Sequence, residues 1–402
     1  MIVELQEWTS SGPLELNSEQ VRVLNDHDAF TLRPHSDRAE RWSIGARHKV
    51  GAVALAGLEI RIRPKVTTPA LLGLLSEVAP IIDFDDEVVA FDSGDQVLPI
   101  IAGAFCRHAE AATRLGLLQG YRTVDEALLA VKGRLNVSAQ VSRHAGIALP
   151  VEVTYDEYTT DIVENQLLAG ATVLLLSLRS VVEQHQLRLH RLLRRLDTVT
   201  PAQPSTTLPP TPITRLNSRY ESAIALARLI LSNGALEDSN HRSLSGTGML
   251  VDMNRVFEEV VGAGLRRTLE PHGGTVAFQH SRNLDRAGHT AIRPDVVWIV
   301  DDTPVAVIDA KYKLPTSNEI SNPDIYQVLV YAAKYGLGDV HLVYAEEPPV
   351  QRLEVGEITV HLHHLDIGSV TDEREQACEA IGQVIRSQAL GCDRSPTQLI
   401  KD

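Results

Sequence analysis

Cysteine is scarce in this sequence, and long apolar runs are missing. The three cysteines, Cys106, Cys378 and Cys392, lie far apart and form no Cys-x-x-Cys pair, so the sequence predicts neither a zinc site nor a disulfide framework. No apolar run is long enough to cross a membrane, and residues 1–8 have no basic region that leads into an apolar stretch. We therefore expect a cytoplasmic protein that is neither membrane-inserted nor secreted.

Positive charge is also scarce. The chain has 38 lysines and arginines against 52 aspartates and glutamates, which gives a formal net charge of −14. Because proteins bind DNA largely by neutralising its phosphates with Lys and Arg, tight DNA binding by this chain alone is not expected. A Gly-x-x-x-x-Gly-Lys-Ser/Thr loop is absent as well, which excludes a P-loop NTPase.

The length and apolar content predict several domains. With 402 residues, of which 44% are hydrophobic, the chain can bury more than one core, and we expect a multidomain protein of the α+β or α/β class. Residues 1–150 have the short apolar alternations of a strand-rich domain. Residues 151–243 have the leucine pattern of a helical connector and contain the proline-rich segment 201–212, and residues 244–402 are expected to form an α/β core with a helical tail.

A predicted β-hairpin brings together the most informative polar residues. Two apolar runs, Val296–Val300 and Val305–Ile308, flank a turn-forming Asp-Asp-Thr-Pro sequence. Asp295 enters the first strand behind a proline, and Asp309 leaves the second strand. Lys311 follows two residues later, so the period of two places Asp309 and Lys311 on the same face.

Carboxylates on neighbouring strands can share a divalent cation, and hard oxygen ligands suit Mg²⁺. The spacing of Asp295, Asp309 and Lys311 resembles the Pro-Asp…Asp/Glu-x-Lys signature of the restriction-endonuclease-like nucleases. A lysine beside such a cluster can orient the attacking water or stabilise developing charge. The alternative interpretation of the hairpin alone is a surface turn with solvated acids.

Two further helices add to the nuclease interpretation. Asn322 suits an N-cap and Pro323 the first helical position. In the helix that follows, Gln327 and Tyr331 are four residues apart and share a face, as in the Gln-x-x-x-Tyr helix of RecB-like nucleases. An amphipathic helix is predicted over residues 250–261, and its Glu258 is the candidate for one more acid.

Short motifs along most of the chain resemble the McrC family, the nuclease subunit of McrBC-type modification-dependent restriction systems. They are Ile60–Lys65, Lys132–Leu135, Asp156–Tyr158 with Asp161 and Glu164-Asn165, Val256–Glu258 and Asp309–Lys313. This resemblance implies a Mg²⁺-dependent endonuclease, for which Mn²⁺ substitutes, acting on DNA that carries a modification. The implied metal ligands are Asp295, Asp309 and Glu258, and the implied catalytic residues add Lys311, Gln327 and Tyr331.

The resemblance also implies a partner, an AAA+ NTPase hexamer of the McrB type that uses GTP or ATP. The N-terminal domain, residues 1–150, is expected to dock on this motor and stimulate it, so that a fragment ending near Thr200 would bind and stimulate the motor without cutting DNA. Lys49, Arg134 and Arg143 are the candidate docking residues, since a basic residue in a turn can reach a nucleotide-bearing interface. The remaining alternatives are a stand-alone repair nuclease and a non-catalytic adaptor that regulates an NTPase.

Overall fold

Two small sheets form most of the N-terminal part. The computed structural model describes residues 1–35, 41–78, 97–145, 147, 149–178, 183–234, 246–312 and 320–391. The strands predicted at residues 31–33, 50–55 and 58–63 are confirmed, and the three apolar residues of the last one are buried on one face. The elements are β1 (Ile2–Gln6), β2 (Leu14–Glu15), α1 (Ser18–Asp26), β3 (Phe30–Pro34), β4 (Arg41–Ala46), β5 (Lys49–Leu55) and β6 (Leu58–Arg63).

The first sheet has the order β1-β6-β5-β10, and its last strand comes from much later in the chain. This strand, β10 (Gly246–Asp252), pairs antiparallel with β5. The helix predicted to start at Leu250 is therefore wrong at its beginning, because residues 250–252 complete the strand. Helix α8 (Met253–Leu269) follows directly, and the side chain of Asp252 accepts the backbone N–H groups of Asn254 and Arg255 as its N-cap.

Strands β2, β4 and β3 form a three-stranded sheet, in that order. Another three-stranded sheet, together with one helix, exposes many apolar side chains. It consists of β7 (Gly120–Leu128), β8 (Arg134–Leu135), α4 (Val137–His144) and β9 (Val151–Thr159), which we call the arm. Helix α4 has no buried residue, whereas Val153 on β9 is fully buried. The sheet crosses the boundary predicted at residue 150. Its exposed large apolar side chains are Tyr121, Leu129, Val131, Leu135, Val137, Val141, Ile147, Leu149 and Tyr158.

Helices from both halves of the chain share one hydrophobic core. The leucine pattern predicted over residues 162–196 forms two helices, and the fully described segment 201–212 has neither helix nor strand, as expected. A fragment ending near residue 200 would lose β10, α8 and the helix Glu221–Asn233, all of which contribute to this core. No helix in the described part of the chain is long and apolar enough to span a membrane. The helices are α2 (Thr68–Val78), α3 (Val97–Thr113), α5 (Val163–Ser177), α6 (Gln186–Arg195) and α7 (Glu221–Asn233).

A six-stranded mixed sheet in the order β11-β14-β15-β16-β18-β17 forms the C-terminal part. The predicted hairpin is its centre, β14 (Val296–Val300) paired antiparallel with β15 (Thr303–Lys311). The remaining elements are β11 (Thr275–Phe278), β12 (Arg282–Asn283), β13 (Ala291–Ile292), α9 (Asn322–Tyr335), β16 (Asp339–Tyr344), β17 (Arg352–Val355), β18 (Ile358–His364) and α10 (Thr371–Gly391).

Helices cover both faces of this sheet. Alternate residues of β15 enter different cores: Ile308 packs with residues of α8 and α10, whereas Val307 packs with residues of α9. Helix α9 starts one residue away from the prediction, since Ser321 is the N-cap and Asn322 the first helical residue. The sheet therefore lies between α8 and α9, the two helices that were predicted to carry functional side chains.

Replacing Gly51 with alanine should weaken the pairing of β5 with β10. Gly51 has a φ of +138°, and a Cβ there would lie 2.1 Å from the carbonyl oxygen of Met249. Because such backbone strain costs about 1–3 kcal/mol, we expect the free energy of unfolding in urea to fall by about 2 kcal/mol. Gly12→Ala is the control, since a Cβ at Gly12 meets nothing within 4 Å. Equal unfolding midpoints for the two variants would contradict this register.

Candidate active site

The hairpin places two carboxylates and an ammonium group side by side. Asp309 on β15 is 1% exposed, and the Lys311 Nζ lies 2.5 Å from its Oδ2. Asp295 stands just before β14, where the pairing of Val296 with Ile308 brings it opposite the end of β15. Its Oδ2 accepts the backbone N–H of Ala310 at 2.9 Å. The register of two strands therefore brings together residues that are fourteen apart in sequence.

Helix α9 holds the lysine from the other side. The Lys311 Nζ donates to Gln327 Oε1 at 2.9 Å, and Gln327 Nε2 donates to the Tyr331 hydroxyl at 2.6 Å. Burial alone would lower the pKa of Lys311, but the neighbouring Asp309 and then Asp295 reverse this effect, so the pKa is raised. Lys311 is therefore a protonated, oriented donor within the cluster.

Helix α8 brings the third acid, and a glutamine connects it to the hairpin. Gln279, which follows β11, donates from Nε2 to Glu258 Oε2 at 3.1 Å and to Asp295 Oδ1 at 3.2 Å. Its backbone N–H also donates to the Asp295 carbonyl at 2.9 Å. Sequence reasoning missed Gln279, because its contacts with Glu258 and Asp295 are tertiary and no local motif includes it.

Burial and a neighbouring aspartate destabilise the charged forms of two of the carboxyl groups. Burial, followed by repulsion from Asp309, raises the pKa of Glu258 to about 7. Burial, followed by repulsion from Asp309 and Glu258, raises the pKa of Asp295 to about 8. Carboxyl pKa values raised by burial and by like charge are typical of functional sites.

The donor set suits a hard divalent cation. Glu258, Asp295 and Asp309 supply carboxylate oxygens, and Asp309 Oδ1 is buried without a hydrogen-bond donor. Within the described residues, however, no three His, Cys, Asp or Glu side chains converge closely enough to hold a metal ion. The Gln279 amide donates to both Glu258 and Asp295. The chemistry of the three carboxylates fits a hard divalent cation.

A second contact missed by sequence reasoning ties the site to the N-terminal sheet. Tyr312 follows Lys311, and its hydroxyl donates to Glu7 Oε2 at 2.9 Å. Both side chains are buried, and burial raises the pKa of Glu7 to about 7. The end of β15 is therefore fixed to the segment that follows β1. Lys313, the next residue of the motif, lies outside the described residues.

The three candidate docking residues do not form one group. Arg134 on β8 and Arg143 on α4 both lie on the arm, where Arg143 is 67% exposed and its guanidinium is 3.3 Å from Glu152. Lys49 lies on β5 in another sheet, and its Nζ is 2.8 Å from Asp28. The structure therefore groups two of the three predicted residues.

Comparison with a family model supplies the identity of the chain. Residues 44–345, three quarters of the sequence, match the family described as McrBC 5-methylcytosine restriction system component. The chain belongs to this family. The match includes Glu258, Asp295, Asp309, Lys311 and the Gln327 helix, and it confirms the resemblance to McrC stated from the motifs. No sequence among the curated proteins matches the chain.

Two solved structures from Thermococcus gammatolerans resemble this McrBC-family protein. One is a refined half-complex from a tetradecameric assembly of McrB AAA+ hexamers with bound McrC. It has 18% identity and a TM-score of 0.57, and the match covers 96% of this chain and 100% of that chain. The other is a cryo-EM structure of the McrBC complex, with 19% identity and a TM-score of 0.40 over 67% of this chain and 88% of that chain. The first likeness shows a shared fold along nearly the whole chain.

Replacing Glu258 with glutamine should remove part of the pH dependence of stability. A carboxyl with a raised folded-state pKa lowers the free energy of unfolding as pH rises from about 4.5 to about 7. In metal-free buffer, Glu258→Gln should therefore unfold at higher denaturant than the wild type above about pH 7, by on the order of 2 kcal/mol, and match it below about pH 4.

The glutamine keeps an oxygen that can accept from Gln279. Glu354→Gln, at an exposed position on β17, is the control and should follow the wild-type pH profile. Superimposable profiles for Glu258→Gln and the wild type would show that Glu258 is not held in the repulsive cluster described above.

Proposed function

We propose that this McrBC-family chain is the DNA-cleaving subunit of its restriction system, a Mg²⁺-dependent endonuclease that docks on an AAA+ NTPase hexamer and stimulates it. One observation carries the enzymatic part of the proposal. The hairpin places Asp295, Asp309 and Lys311 in one partly buried cluster, to which α8 adds Glu258. Three acids and one lysine from separate elements form the constellation that metal-assisted phosphodiester hydrolysis requires.

Each residue has a role that follows from its contacts. Glu258, Asp295 and Asp309 would hold Mg²⁺, or Mn²⁺ in its place; such an ion would supply a Lewis acid for the phosphoryl oxygen and a hydroxide near neutral pH. Lys311 remains protonated and donates to the attacking water or to the phosphate as negative charge develops. Gln327 orients the Lys311 ammonium, and Tyr331 fixes the Gln327 amide.

The arm supports the docking part of the proposal. Nine large apolar side chains are exposed on its described residues, and clusters of exposed apolar side chains mark interaction sites. Arg134 and Arg143 add positive charge to the same element. The similar Thermococcus structure contains McrB AAA+ hexamers with bound McrC. We therefore assign the arm to the motor interface, with Lys49 outside it, because Lys49 lies on β5 in another sheet.

The charge of the chain fits this division of labour. A net charge of −14 opposes DNA binding, so a partner that holds the DNA, including any modified base, would deliver it to the carboxylates. A stand-alone repair nuclease would need to bind DNA tightly without a partner. A non-catalytic adaptor would have no use for a lysine that two side chains orient beside a buried aspartate.

Replacing Lys311 with alanine should slow DNA cleavage by about a hundredfold or more, because the donor that stabilises the developing charge is lost. Cleavage of plasmid DNA in the presence of Mg²⁺ and the cognate AAA+ protein measures the effect. Lys334→Ala is the matched control, since this lysine lies on α9 and its Nζ contacts only the Leu284 carbonyl among the described residues. Normal cleavage by Lys311→Ala would remove it from the mechanism.

Replacing Val141 on the arm with glutamate should abolish stimulation of the AAA+ partner without unfolding the chain. Val141 is 65% exposed on a helix that has no buried residue, so its stability cost is small, whereas a charge in an apolar interface is costly. Arg134→Ala and Arg143→Ala should reduce stimulation in the same assay. Leu216→Glu, at a site 85% exposed outside the arm, is the control. Full stimulation by Val141→Glu would place the interface elsewhere.

A further inference from the structure

An open groove with a volume of about 930 Å³ runs beside the carboxylate cluster. One wall is the outer face of α8, from Asn254 to Arg267, and Glu258 and Asp295 line the groove at the cluster. Fourteen residues of helix extend over about 20 Å, which spans about six phosphates of one strand measured along the axis of a DNA duplex. The acids alone would repel a polyanion along this path.

Arg293 supplies positive charge at the cluster itself. It lines the groove two residues before Asp295 and is exposed. Within the described part of the chain, it has no ion-pair or hydrogen-bond partner, unlike Arg255 in the same groove, which pairs with Glu259 at 2.8 Å. The following Pro294 restricts its backbone to extended conformations. Arg293 therefore offers an uncompensated guanidinium beside the proposed metal ligands.

Arg266 supplies a second, preoriented guanidinium further along α8. It lies over the Phe278 ring at 4.1 Å and donates to the Val276 carbonyl at 3.3 Å. The ring packs so closely on α8 that a Cβ at Gly262 would be 2.2 Å from it. The exposed pair with Glu270, at 3.6 Å, is weak. The stack of helix, ring and guanidinium therefore holds Arg266 in one orientation at the groove.

We propose that this groove is the path of the DNA strand that is cut, and that Arg293 and Arg266 bind phosphates of its backbone. This inference rests on the proposed nuclease function and adds to it. Arg293 binds a phosphate next to the scissile one, and Arg266 binds another about 12 Å away, eight residues along α8 from Glu258. The guanidinium of Arg266 is preorganised, so this side chain loses little conformational entropy when it binds a phosphate. Their role is to position the backbone over the carboxylates.

The test measures binding of a fluorescent DNA duplex, by anisotropy over a series of low salt concentrations at which the weak DNA affinity of this acidic chain is measurable, to full-length protein carrying Asp309→Ala so that the DNA stays intact. Adding Arg293→Gln or Arg266→Gln should weaken binding about tenfold, the value of one charged hydrogen bond. Each change should also make the slope of log K against log salt less steep by about one. Arg352→Gln is the control, because this exposed arginine lies on β17, at the opposite edge of the sheet from β11.

Cleavage kinetics of the single variants in the wild-type background provide a second measurement. Arg293→Gln and Arg266→Gln should raise KM for DNA more than they lower kcat, since they bind the backbone without touching the reacting atoms. Arg293 has no hydrogen-bond or ion-pair partner to lose among the residues that the structure describes, so a folding defect does not complicate its result.

Two outcomes would overturn these assignments in different ways. If the Asp309→Ala protein binds DNA, but the arginine variants share its affinity and salt slope, the groove is not the DNA path and the nuclease assignment stands. If the wild type cuts no DNA with its AAA+ partner, and the Asp309→Ala protein binds none at any salt concentration, the proposed function itself is wrong.

Discussion

Three carboxyl groups share one buried site, and their mutual repulsion is the constraint on which the surrounding structure depends. The pairing of β14 with β15 fixes Asp295 against Asp309, and α8 adds Glu258. The ammonium of Lys311 and the amide of Gln279 offset part of the electrostatic cost of holding these carboxyl groups together. Burial, and after it the remaining repulsion, raise the pKa of Glu258 and of Asp295. A bound cation would stabilise the ionised forms of these carboxylates, which is the property that metal-assisted hydrolysis uses.

The N-terminal sheet and this site are structurally continuous. Strand β10 belongs to the sheet of β5, and Asp252 at its end caps the helix that carries Glu258. The hydrogen bond from Tyr312 to Glu7 adds a second connection, next to Lys311. Any displacement of the N-terminal sheet therefore acts on two elements of the carboxylate cluster. One hydrophobic core accordingly contains residues from both halves of the chain.

Local patterns in the sequence were enough to predict the hairpin, the two-residue spacing of Asp309 and Lys311, and the Gln327 helix. Each depends on short-range periodicity and turn chemistry. The start of α8 was missed, because an apolar run that pairs with β5 cannot be distinguished locally from the first turn of a helix. Gln279 and the grouping of Arg134 with Arg143 depend on tertiary contacts between distant segments. The sequence contains the residues of those contacts but not their distances.

Calorimetric titration with Mn²⁺ tests the central claim, that the carboxylates form a metal site, most directly and needs neither DNA nor a partner. The account predicts one Mn²⁺ site in the wild-type protein. In Asp309→Ala, the heat of Mn²⁺ binding should be lost, or the Mn²⁺ affinity strongly weakened. The fold should persist in that variant, since removing one carboxylate relieves repulsion within the cluster. Unchanged Mn²⁺ affinity in Asp309→Ala, with wild-type unfolding, would contradict the assignment of this cluster as a metal centre.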